Sequence, residues 1–219
     1  MNAIPLIDPI VDTREAFNDR VKETELYFDF LTNIFNEECE IETSAELRYT
    51  MISVGYLVLY NLVESTSRIY LNLMHTSLVN EKIALEQTTH LIRKVVLEGF
   101  RKHSPREDFI KNLSDLRTQI MSECYDEDKF FSGNVDARLL RELADRYGFK
   151  VPKSCHGLLE VKNKRNDLAH GKLSFVECSK NEAEETVKKY KANIIKYLTS
   201  MADSIEKFVH NKEYCDPTP

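Results

Sequence analysis

The segment VKNKRNDLAHGKLSF, Val161 to Phe175, gathers Lys162, Lys164, Arg165 and Lys172 around one histidine, His170. An imidazole titrates near neutral pH and can move protons, whereas a guanidinium keeps its charge and can hold an anion in place. Together they are the pair needed to cleave RNA without a metal ion. The RNA 2′-hydroxyl is its own internal nucleophile. The protein then needs only to move a proton at the 2′ or leaving oxygen and to stabilise charge on the scissile phosphate. His170 directly precedes Gly171, so it is expected in the final turn of its helix, where the macrodipole favours the protonated ring. Asn166, one turn earlier, shares its face. Arg165 is displaced from His170 by roughly 140° around the helix axis, yet its long arm can fold back towards the helix end. Lys162, Lys164 and Lys172 add diffuse positive potential. A structural reading accounts for the same residues: His170 and Gly171 as a helix stop, and Arg165 as the ion-pair partner of Asp167 or Glu160. Residue types and spacing leave both readings open.

Other machinery is missing from the sequence. It contains no GxxxxGK[ST], GxGxxG, HExxH or GxSxG segment. Its histidines are scattered, and none pairs with a cysteine or acid at metal-ligand spacing, so neither a metal site nor another cofactor is expected. Arg68 and His75 form a second arginine–histidine pair, two turns apart on one face of an apolar helix, where packing or hydrogen bonding is the expected role.

The elements that must position the motif are helical. Six glycines and six prolines among 219 residues are too few for the many tight turns of a sandwich or barrel. A net charge of −6 gives the whole chain no attraction for nucleic acid or anionic membrane. Any RNA contact must therefore be local, and between residues 150 and 172 Lys150, Lys153, Lys162, Lys164, Arg165 and Lys172 outnumber Glu160 and Asp167. Five well-separated cysteines (Cys39, Cys124, Cys155, Cys178 and Cys215) form no CxxC pair and suit a reducing cytoplasm. No stretch reads as a signal peptide or a membrane span.

Asp12 or Thr13 is expected to cap a first helix, with Phe17, Val21, Tyr27, Phe28, Leu31, Ile34 and Phe35 on its apolar stripe. Ser44 opens a second, long helix that is apolar nearly all round in its middle, as a central helix must be. Residues 84–100 and 105–124 carry two further helical patterns, and 126–134 a turn-rich connector. Leu139, Leu140, Leu143 and Tyr147 then share one face, with Gly148 at a left-handed cap. The motif helix is expected from about Ser154 to Gly171. A last long helix carries Val187, Tyr190, Ile194, Tyr197, Met201, Ile205 and Phe208. The expected fold class is all-α: a single helical domain over residues 1–219, with frayed ends at 1–11 and 213–219 and a helical elaboration at 100–153.

Three blocks in order, LVLYNLVESTSRIYL (57–71), FSGNVDARLLRELADRYGF (131–149) and LLEVKNKRNDLAHGKLSF (158–175), resemble the stand-alone MAE-like branch of the HEPN superfamily. Those all-helical domains carry a motif of arginine followed, after four to six residues, by histidine. The resemblance implies a helical bundle of HEPN type with long central and C-terminal helices. It also implies a metal-independent endoribonuclease of the toxin–antitoxin or phage-defence kind. Arg165 and His170 would take the catalytic roles, with Asn166, Lys162, Lys164 and Lys172 holding the RNA and Glu64 in support. A homodimer with both motifs in one shared cleft is implied as well, together with an antitoxin or defence-system partner protein. Toxins silenced by AMP transfer often carry a tyrosine two residues after the histidine; here that position is Lys172, which argues against that route. The alternative within the same family is a non-catalytic module that binds RNA or a nucleotide, or that serves as a dimerising subunit.

Overall fold

The computed structural model describes residues 8–35, 44–80 and 134–215, together with 89, 91, 92 and 94. Of the expected helix at 84–100 only 89, 91, 92 and 94 are described, the last three of them helical, and the expected helix at 105–124 and most of the connector lie outside the described residues. Among the described residues six helices are delimited, in order: α1 (Pro9–Phe35), α2 (Ala45–Asn80), α3 (Ala137–Tyr147), α4 (Leu158–Ala169), α5 (Phe175–Ser179) and α6 (Glu184–His210). No strand occurs among the described residues, so the fold is all-α.

α1 starts earlier than its sequence suggests. Asp8 is the cap, its Oδ1 accepting the Ile10 N–H at 2.9 Å, and Pro9 takes the first helical position, where a missing N–H costs nothing. Residues 9–11 are therefore helix rather than a frayed end. Phe17, Thr24, Phe28 and Leu31 form its buried face. The other end is also tied down. Tyr214 is fully buried, and its carbonyl accepts the Thr89 N–H at 2.9 Å.

α2 is the axis of the molecule, packing against α1, α4, α5 and α6. Ser44 caps it as expected, its Oγ accepting the Leu47 N–H at 3.2 Å. Tyr56, Leu59, Tyr60, Leu62, Val63, Tyr70, Leu71 and Met74 are all buried, which needs apolar side chains on every face. α6 contributes Val187, Ile194, Tyr197, Met201, Ile205 and Phe208 to the same core.

α3 belongs to that core through Leu140, Leu143 and Tyr147. Asp136 caps it by accepting the Arg138 and Leu139 N–H groups, and Gly148 ends it at φ 97°. α4 begins at Leu158, four residues later than expected, because Gly157 sits at φ 92° with the Tyr190 ring against its Cα. It ends at Ala169. His170 is thus the C-cap residue rather than part of the last turn, and Gly171 follows at φ 65°. α5 is fastened to α2 by Ser53, whose hydroxyl bonds to the Phe175 carbonyl at 2.5 Å and to Ser179 Oγ at 2.7 Å.

Candidate active site

α4 carries the motif across the flank of α2. Val161 is buried, Leu168 packs against the core, and His170 stands exposed at the helix end. The His170 N–H is held by the Asn166 carbonyl at 3.0 Å, and the next amides, of Gly171 and Lys172, bond back to Leu168 and Asp167. The backbone under the imidazole is thereby fixed while the ring faces solvent. An accessible imidazole on a fixed backbone is the arrangement proton transfer needs.

Arg165 does not pair with Asp167 or Glu160. Its guanidinium carbon lies 4.7 Å from the centroid of the Tyr60 ring, and Nη1 donates to Asn166 Oδ1 at 3.0 Å. Asp167 is engaged elsewhere, with Lys172 at 3.4 Å. Asn166 reaches outward, its Nδ2 donating to Asn134 Oδ1 at 3.5 Å. Arg165 and Asn166 lie in the C-terminal half of α4, and His170 is its C-cap.

The lysines part company. Lys162 is bound to Asp136 at 2.5 Å, with side chains 15% and 10% exposed, and so ties α4 to the start of α3. Burial alone would raise the Asp136 carboxyl. The Lys162 ammonium and the N–H groups of Leu139 and Arg138 outweigh it and hold the carboxyl below its ordinary value. Lys164 is likewise engaged, with Glu182 at 3.1 Å and the Cys178 carbonyl at 2.8 Å. Neither fits the expected role of free phosphate binder, since each would have to break a half-buried ion pair first. Lys172 is 66% exposed and remains available. The expected positive field is therefore narrower than a count of cations suggests.

Glu64 pairs with Arg68 at 3.4 Å, one turn along α2. It also lies close enough to act on Tyr60. Burial raises that phenol, the Val135 N–H and Arg165 oppose the shift, and Glu64 and Asp136 reinforce it. His75 is buried, in keeping with a packing role. Tyr60, Asn134 and Asp136 escape the sequence reading. Tyr60 has the i−4, i+4 relation to Tyr56 and Glu64 that would have placed it on the motif-facing side, but an aromatic in an apolar helix reads first as core.

Two grooves lie elsewhere. One of about 620 Å³ runs between the start of α1, the C-terminal half of α2 and the end of α6. One of about 380 Å³ lies between α1 and α2. No motif residue lines either groove. Among the described residues no cluster of three or more His, Cys, Asp or Glu side chains could hold a metal ion, and no helix is long and apolar enough to cross a membrane.

A family model for the MAE_28990-like HEPN group matches residues 13–214, from the second turn of α1 to the buried Tyr214. No curated protein and no solved structure matches the chain.

Proposed function

Since the chain belongs to the HEPN family, whose members are generally associated with RNase activity, we propose that it is a metal-independent endoribonuclease acting as a toxin or defence effector. The observation that carries this reading is the C-terminal part of α4: an exposed His170 on a pinned backbone, five residues after an Arg165 that no carboxylate neutralises among the described residues. In the proposed reaction His170 takes the proton from the 2′-hydroxyl, whose oxygen attacks the neighbouring phosphorus. The P–O5′ bond breaks, and the leaving oxygen receives a proton. Arg165 holds the negative charge on the phosphoryl oxygens throughout. The products are a 2′,3′-cyclic phosphate and a 5′-hydroxyl end.

The reading includes a homodimer in which each copy supplies one motif. A second His170 would then serve as the acid that protonates the leaving oxygen. Leu159 on α4 and Phe175 at the start of α5 flank the motif in sequence and are 58% and 40% exposed, which supports apolar contact with a second copy. An antitoxin or defence-system partner would restrain the activity.

One observation favours the alternative, a non-catalytic dimerising subunit: the engagement of Lys162 and Lys164 leaves few cations for an RNA backbone. A single experiment separates the two. Purified protein is incubated with tRNA and mRNA in EDTA, and product ends are mapped. His170→Ala is expected to lower the rate by about 10²–10⁴ and Arg165→Ala by about 10²–10³. Equal cleavage by wild type and both variants, or none by wild type, removes the nuclease assignment.

A further inference from the structure

We propose that Tyr60 is the positioning residue for Arg165, holding the guanidinium by its ring face so that its charge stays available for a phosphate. The proposal rests on the reading of Arg165 as the anion-holding group. An arginine fixed by a carboxylate is neutralised by it; an arginine fixed over an aromatic ring is held by the ring quadrupole and keeps its full charge. Four acids on these elements are each drawn to another cation: Glu64 to Arg68, Asp167 to Lys172, Glu182 to Lys164 and Asp136 to Lys162. Arg165 is left with Tyr60 at 4.7 Å and the neutral Asn166 amide.

The ring is itself fixed. Tyr60 is 2% exposed within the core, and its hydroxyl accepts the N–H of the buried Val135 at 3.0 Å. The residues on either side of Val135 reach the motif helix, Asn134 through Asn166 and Asp136 through Lys162. One three-residue segment therefore sets the ring and two neighbours of the arginine that rests on it. An aromatic side chain has two torsions to fix, so the platform is stiff as well as apolar.

The test compares Tyr60→Phe, which keeps the ring, with Tyr60→Leu, which keeps apolar bulk without π density. The first readout is the Arg165 side-chain NMR resonance, assigned by its loss in Arg165→Lys. It is expected to show a ring-current shift in wild type and in Tyr60→Phe and to lose it in Tyr60→Leu. The second is single-turnover cleavage of an RNA oligonucleotide. Tyr60→Phe is expected to lose a few-fold in rate with the Val135 bond. Tyr60→Leu is expected to lose about a hundredfold in rate with KM much less changed, because a displaced arginine no longer meets the transition state. Added to Arg165→Ala, the leucine substitution should cost little more. Wild-type protein without the shift, a Tyr60→Leu enzyme that retains its rate, or an equal further loss in the Arg165→Ala background overturns the proposal. If Tyr60→Leu does not fold, the wild-type and Tyr60→Phe resonances decide. If wild type cleaves no RNA, the nuclease reading falls, and the resonance still decides whether Tyr60 holds Arg165.

Discussion

Asp136 and Lys162 show how a charged residue beside a site can serve the fold instead of the substrate. Each side chain is nearly buried, and removing one partner leaves the other charge unpaired in a poor solvent for it. Asp136→Asn should still cap α3, yet cost about 3 kcal/mol near neutral pH through the stranded Lys162. The direction of the pH dependence follows from the carboxyl being held below its ordinary value. Its stabilisation is present above the unfolded-state value of about 4 and is lost as pH falls through the lower folded-state value. Urea midpoints at pH 7 and pH 3 should therefore show a large deficit for the variant at pH 7 that shrinks at pH 3. A deficit of the same size at both would refute the pairing as its source. Lys172 belongs to the opposite class. Its contact with Asp167 is largely solvated and worth little to stability, so Lys172→Ala should leave the melting temperature alone and weaken RNA retention with a shallower salt dependence.

Among the elements, α4 depends on how it begins. Gly157 occupies the left-handed region, and a Cβ built there would stand 2.1 Å from Cδ1 of Tyr190. Gly157→Ala should therefore cost about 3 kcal/mol, part backbone strain and part overpacking against α6. In a chain of this size that is a melting-temperature loss of about 6–12 °C by calorimetry. Tyr190→Ala in the same chain should return part of the loss; no recovery at all would remove the close approach as its cause. α5 illustrates a shorter-range device. Ser174 and Glu177 form a reciprocal capping box, so five residues suffice to turn the chain after the motif and press Cys178 and Ser179 against α2. The exposed side chains of His170 and Lys172 stand on a backbone held from both sides, by α4 and by α5.

At the scale of the whole molecule, the proposed function asks an acidic chain to meet an anionic polymer. A net charge of −6 opposes general RNA binding, so on that reading contact would be local, at the end of α4. Pairing two copies would place two such ends together and double the local charge without altering the total. If the site is shared in this way, specific activity should fall on dilution in step with the mass measured by light scattering. Leu159→Asp should shift both curves towards higher protein concentration. Activity per chain that stays constant while the mass halves would exclude a composite site.

The family was legible as a resemblance over three blocks of the sequence. The all-helical class, the central position of α2, the stripe of α6 and the Gly148 cap were legible in the residues themselves. Each depends on short-range periodicity or on a backbone preference that a residue type carries with it. Residue types and spacing left the role of Arg165 and His170 open, and only the resemblance singled them out as a motif. The start of α1 was misplaced by a few residues because Asp8–Pro9 and Asp12–Thr13 are both acceptable starts, and local preferences do not rank them. What the sequence could not determine was the partner of each charge. Lys162, Lys164 and Arg165 look alike in a string of letters. Their fates were decided by Asp136, Glu182 and Tyr60, which are distant in sequence and which tertiary packing alone brings within reach. Coulombic and aromatic contacts act over a few ångströms of space, and chain separation carries no information about them.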